Sequence, residues 1–348
     1  MSDLTVPPVI APARPGRPAL LVSVVTLLIV ALAALMIGPA GIAPGGAISA
    51  LFDALPGIDV DHGLTQVEQS VLFEIRLPRV VMGALVGAVL ALAGTAYQGV
   101  FRNPLADPYL LGVAAGAGLG ATIALAWTGN ESLVAPFALA GGIAAVVVTY
   151  TLGRSVGGGR STTSLILSGV AVAAFATALQ TYVLQRHVDS IREVYSWILG
   201  RLLTIGWGDV GGLLPYAVIA GGALMGSGRL LDVLALGDEE ASALGVRVPA
   251  VRWVVVTAAT LATAAAVSVS GLIGFVGIIV PHTIRILFGA SYRVIVPLSV
   301  LFGAAFLVGA DLAARTLVAP AELPIGVVTA FFGAPFFLLV LRTMRRTA

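Results

Sequence analysis

The chain of 348 residues has no cysteine and no lysine; all nineteen basic residues are arginine. Without Cys there is no disulfide, no thiolate nucleophile and no Cys-ligated metal. Without Lys there is no Schiff-base chemistry. The GxxxxGK[ST] phosphate loop also loses its essential residue, so the chain is not itself a P-loop ATPase. Histidine is sparse: only His62, His187 and His282 occur, far apart, with no HExxH pair, which argues against a zinc protease. Charged residues make up 10% of the chain, against roughly 25% in a soluble domain. The net charge is only +2 and the arginines stand singly between apolar runs, which speaks against a nucleic-acid partner.

What is present is apolar. Hydrophobic residues are 58% of the chain and the mean hydropathy is +1.03. So little charge cannot cover the surface, so lipid must, and the chain reads as an all-α polytopic membrane protein. Ten spans are expected, at about 19–38, 78–100, 109–128, 133–153, 163–184, 211–226, 251–269, 272–288, 295–314 and 325–342. Two places are ambiguous. The run 211–226 is short, and the residues around Ser270–Gly274 fit either two helices or one bent helix. Residues 1–18 hold five prolines and read as a loose tail, and 344–348 as a second tail. The first apolar run could be a signal peptide, but it exceeds a 7–15-residue signal core and reads as an anchor.

Arginine placement orients the spans. With the N-terminus in the cytoplasm, Arg76, Arg79, Arg186, Arg192, Arg201 and Arg315 lie outside, and the remaining thirteen of nineteen lie inside. That bias puts both termini in the cytoplasm. Gly83/Gly87 and Gly112/Gly116/Gly120 set small residues on one helix face, as close helix packing requires. Leu77-Pro78 and Leu323-Pro324 each precede a glycine by the same spacing, and both would open a helix from the outer side.

Few polar residues fall inside the spans. Asp311 and Arg315 lie one turn apart and can pair, either as a self-satisfied pair or in a functional role. One acid is thin support for a proton- or sodium-driven pump, which usually holds several. The segment 228–250 is too polar to span. Leu230–Leu236 can form a short helix, Gly237 can break it, and Asp238 can cap a second running to Leu244 with Gly245 as its stop. The segment fits a solvated helical loop, or a rigid knuckle offered to a partner.

Three stretches carry a resemblance. RLPRVVMGALVGAVLALAGTAYQGVFRNPLADPYLLGVAAGAGLGA (76–121), GLIGFVGIIVPHTIRILFG (271–289) and ADLAARTLVAPAELPIGVVTAFFGAPFFLLVLR (310–342) resemble the ABC importer permeases for iron-siderophores, haem and vitamin B12. The likeness covers nearly the whole chain from about residue 19. It implies a ten-helix fold like the vitamin B12 permease, with the transmembrane domain over 19–343. The chain would be one of two permease subunits, identical or homologous, above two separate ATPase subunits and below an extracytoplasmic binding protein. It would sit in the cytoplasmic membrane, bind no cofactor or metal itself, catalyse no covalent chemistry, and use ATP only through its partner.

The family's site roles carry over where the motifs match. Arg76, Arg79 and Arg315 correspond to arginines that meet glutamates on the binding protein. Asn103 and Leu105 correspond to an inner gate, and Ser161, Thr162 and Thr163 to a second one. Leu236, Gly237, Glu240, Ala241, Leu244 and Gly245 fall in the segment that docks on the ATPase. A ferric siderophore is the expected cargo, with haem or vitamin B12 as alternatives. An ion-coupled secondary transporter is the competing class, distinguished by uptake that survives loss of the ATPase. An intramembrane enzyme lacks its nucleophile and metal constellations.

Overall fold

A computed structural model describes residues 15–38, 41–156, 162–202 and 206–344; the tails 1–14 and 345–348 lie outside the described residues. Among these residues every regular element is helical. α1 (Arg17–Met36) is followed by short α2 (Pro44–Asp53) and α3 (Gln66–Ser70). α3 continues through a π-helical stretch, Val71–Arg76, into α4 (Leu77–Phe101). A 3-10 turn at Pro108–Leu111 leads to α5 (Val113–Thr128), then α6 (Val134–Val156), α7 (Thr162–Arg186), short α8 (Ile191–Ile198) and α9 (Trp207–Gly226). Two short helices follow, α10 (Gly228–Leu236) and α11 (Asp238–Ala243). The chain closes with α12 (Val248–Ser270), α13 (Val276–Phe288), α14 (Tyr292–Thr316) and α15 (Ile325–Met344).

Among the described residues, seven helical segments are long and apolar enough to cross a bilayer, and α5, α13 and α15 supply shorter apolar helices at the other three predicted spans. The ambiguous places resolve. The chain turns at Gly271 (φ 67°) and Phe275 (φ 69°), so α12 and α13 are separate helices. The short ninth helix begins earlier than hydropathy suggests, at Trp207, because the Asp209 carboxylate accepts the Gly206 N–H at 3.0 Å and caps a polar first turn. The expected span 109–128 is broken at Gly112 (φ 81°), which divides the 3-10 turn from α5.

α4 is the central post, buried along most of its length. It packs on α12, α13 and α14. Gly87 explains the tightest crossing: a Cβ there would collide with the Gly303 backbone, so α4 and α14 touch main chain to main chain. Polar side chains stitch the same helices. Tyr97 Oη lies 2.8 Å from Thr260 Oγ1 on α12, and Thr95 Oγ1 lies 2.8 Å from Ser299 Oγ on α14. With no water to bind in an apolar surround, each hydroxyl needs such a partner. α1 and α7 lie at the periphery, with Leu21, Leu28, Ile29, Leu167, Val170 and Phe175 exposed. Those apolar faces suit lipid or another apolar surface.

Candidate functional site

Polar chemistry gathers at the two ends of α4. At its end, the main chain of Arg102 takes a left-handed conformation (φ 50°), which stops the helix. The turn beyond it is built by its own side chains. Asn103 Oδ1 accepts the Leu105 N–H at 3.0 Å, and Asp107 Oδ1 accepts the Tyr109 N–H at 2.7 Å. Burial pushes the Asp107 carboxyl up to about 6, against the lowering effect of the Tyr109 N–H. Asn103 is exposed and Leu105 half-buried. This turn lies beside α7, where a Cβ on Gly169 would strike the Leu110 carbonyl. Of the second set of gate residues, Thr163 is exposed near the start of α7 and Thr162 opens that helix, while Ser161 lies outside the described residues. The two candidate gate segments therefore sit on neighbouring elements.

The acidic segment forms a two-helix knuckle at the same end. Gly237 joins α10 to α11 at φ 136° and ψ 161°, a conformation that suits glycine alone. A Cβ at Gly237 would also meet the Glu240 carboxylate, which folds back over the joint. Ala241 is fully buried, whereas Leu236 and Leu244 are 62% and 64% exposed. Gly245, at φ 81°, turns the chain toward α12. The three acids behave differently. Asp238 does not cap α11 as the sequence suggested. Its Oδ1 lies 2.9 Å from Arg252 Nη2 on α12 and 3.3 Å from Arg102 Nη2 at the end of α4. The helix is already opened by Gly237, so the carboxylate is free to bind the body. Glu239 is exposed.

A fourth acid, Asp232 on α10, was not anticipated. Its Oδ2 accepts the Ser291 hydroxyl at 2.8 Å and its Oδ1 accepts the Tyr292 N–H. It thereby caps the N-terminus of α14, where an anion is favoured by the helix dipole. The signal was available: Asp232 is the one acid within GRLLDVLAL, an otherwise amphipathic run. Through Asp232 and Asp238 the knuckle holds α14, α12 and α4 at once.

At the opposite end of α4 lies a buried charge cluster. Asp311 is 2% exposed; its Oδ1 receives Arg79 Nη2 at 2.8 Å and its Oδ2 lies 3.1 Å from Arg315 Nε. The expected pair of Asp311 and Arg315 is therefore present, joined by Arg79. The second edge of Arg79 grips Glu322, at 3.2 Å and 2.9 Å, a carboxylate 30% exposed. Arg76 and Arg315 are buried and turn toward the C-terminus of α1. Arg76 Nη1 donates to the carbonyls of Leu35 and Met36 at 2.7 and 3.1 Å, and Arg315 Nη2 to that of Ala34 at 2.9 Å. Two guanidinium groups at a helix C-terminus complement its dipole. Of the three arginines, Arg79 alone has its edge near the surface, and there Glu322 covers it.

Comparison with known proteins places this architecture. Residues 26–343 match the FecCD transport family. The chain is 37% identical over 339 residues to the hemin transport system permease HmuU of Yersinia pestis, covering 94% of this chain and 96% of that one. It is 41% identical over 284 residues to the cobalamin import system permease BtuC of Halobacterium salinarum, covering 81% and 76%. Among solved structures, a metal-chelate type ABC transporter in an inward-facing conformation superposes with a TM-score of 0.82 at 29% identity, covering 94% of this chain and 99% of that one. The ten-position helical pattern, the knuckle and these matches together make the chain a member of the FecCD transport family of ABC importer permeases.

Proposed function

We propose that the protein is the non-catalytic, membrane-embedded half of an importer that moves a ferric siderophore inward across the cytoplasmic membrane. Two permease subunits, identical or homologous, pair with two ATP-binding subunits at the knuckle end. An extracytoplasmic binding protein docks at the Arg79 end. Both termini are cytoplasmic, in keeping with the arginine bias. The chain itself holds no cofactor or metal, and ATP is consumed by its partner. The iron chelates named for similar permeases support this cargo, with haem and cobalamin as the competing cargoes.

One observation carries the reading: the knuckle presents exposed Leu236 and Leu244 on either side of buried Ala241, while its acids bind three transmembrane helices. Exposed leucines supply a docking surface, and the acids connect that surface to α4, α12 and α14. In this proposal Leu236, Gly237, Glu240, Ala241, Leu244 and Gly245 engage the ATPase. The turn at Asn103–Leu105 and the start of α7 close the path on that side. At the other end Arg79 is the docking charge, and a carboxylate of the binding protein exchanges with Glu322. Arg76 and Arg315 hold α1 behind it. Charges so placed steer docking and set register more than they add affinity.

The test is reconstitution into proteoliposomes with the ATPase and binding proteins, using siderophore-bound iron, haem and cobalamin in parallel. ATP-dependent accumulation of siderophore iron alone is the expected result. Uptake of haem or cobalamin instead reassigns the cargo. Uptake that persists without the ATPase subunits, driven by an ion gradient, overturns the importer mechanism. The double substitution L236D/L244D is expected to abolish co-purification of the ATPase, since both side chains are exposed and neither supports the core.

A further inference from the structure

A cleft separates α6 from α12 on the outside of the bundle, in the half nearest the knuckle. It encloses about 250 Å³ and its walls are apolar, with Ile143 and Val147 on α6 and Val256 and Leu261 on α12. Its knuckle-side rim is aromatic. Tyr150 and Trp253 meet edge to face with ring centroids 5.1 Å apart. The Arg154 guanidinium lies over the Tyr150 ring, 5.9 Å from its centroid. Arg154 is exposed, and no ion-pair partner is found for it among the described residues. Thr151 and Thr257 add hydroxyls to the lining.

The dimensions and the order of groups match one kind of molecule. From Trp253 to Leu261 the cleft follows α12 for eight residues, about 12 Å at 1.5 Å per residue. The hydrocarbon depth of one leaflet is about 15 Å. Tyr150 and Trp253 each lie five or six residues from the knuckle-side end of their helices, the level at which Trp and Tyr mark the membrane–water interface. The cation stands beyond the aromatic pair, one turn nearer the end. The sequence of groups from end to middle is thus cation, aromatic rim and apolar groove, which mirrors phosphate, glycerol ester and acyl chain. Arg supplies the planar donor set that suits phosphate oxygens.

We propose that this cleft is a binding site for an anionic phospholipid of the knuckle-side leaflet, with its phosphate on Arg154 and one acyl chain between α6 and α12. The site adjoins the knuckle's anchor: Arg252, the neighbour of Trp253, is one of the two arginines that hold Asp238. A lipid seated there packs against the helix through which the knuckle is anchored.

The full-length protein, purified in a neutral detergent, is mixed with equal phosphatidylglycerol and phosphatidylcholine of the same acyl chains, and retained lipid is read by native mass spectrometry. Phosphatidylglycerol is expected to be retained about fivefold over phosphatidylcholine, the worth of one arginine beside an anionic headgroup. R154Q should bring the ratio to about one, and R154K should keep most of it. T257W and V147W, which fill the cleft from either wall, should reduce retention of both lipids. Three results overturn the proposal: equal retention of the two lipids by the unsubstituted protein, a preference that R154Q leaves intact, or undiminished retention in both tryptophan variants. A fourth arm adds millimolar inorganic phosphate. Displacement of phosphatidylglycerol by phosphate alone would mean that the groove contributes nothing, and would overturn the lipid assignment in favour of free phosphate.

Discussion

The two charged ends of α4 use the same chemistry in opposite settings. At the far end Asp311 is 2% exposed and lies between two guanidinium groups. At the knuckle Asp238 is 43% exposed, again between two arginines. Burial decides what each cluster can do. A buried carboxylate leaves uncompensated charge when it is removed, so the Asp311 cluster holds its helices in one arrangement. An exposed carboxylate exchanges its partners for water at small cost, so the Asp238 cluster can open and close. One end is built to stay, the other to move.

Substitutions separate the two behaviours. The largest effect is expected from D311A, which strands Arg79 and Arg315 beside each other and should cost about 3–5 kcal/mol. The thermal unfolding midpoint in detergent checks it; a loss no greater than that of a surface substitution would erase the contrast. Next is G237A. A side chain at φ 136° is strained and meets Glu240, for about 1–3 kcal/mol. The loss should be confined to the knuckle, read as faster amide exchange in α10 and α11 with the core unchanged.

Asp107 gives a smaller change with a definite pH sign. Its folded carboxyl titrates near 6, above its ordinary 3.8. The stability tied to its neutral form is therefore complete below about pH 4 and lost as pH rises through 6. D107N keeps the oxygen that accepts the Tyr109 N–H, so it should flatten that slope and raise the midpoint at pH 8 more than at pH 5. The smallest effect on stability belongs to D238N, within about 1 kcal/mol. On the proposed reading it should nevertheless lower transported cargo per ATP hydrolysed while the ATPase still co-purifies. Unchanged coupling would remove Asp238 from the transmission path.

Much of this was legible in the sequence because lipid imposes simple rules. Apolar runs of membrane length had to be helices, and Gly237 and Gly245 had to be bends. The pair of Asp311 and Arg315 followed from one-turn spacing alone. What spacing could not show was contact between distant parts of the chain. Arg79 reaches Asp311 across 232 positions, and Asp238 reaches back to Arg102. Arg76 and Arg315 read as outer charges because each stands at a helix end, but the carbonyls they bind belong to α1, which the local pattern does not mention. The helices α2 and α8 were missed because each is too short for a hydropathy window.

α4 runs unbroken from Arg79 to Arg102, about 35 Å at 1.5 Å per residue, and its main chain touches that of α14 on the way. A single stiff rod therefore ends in both clusters. If the proteins at its two ends each favour one position of that rod, each biases the other's binding by an equal free energy. An arriving binding protein would then inform the ATPase, and nucleotide state would in equal measure set how long the binding protein stays.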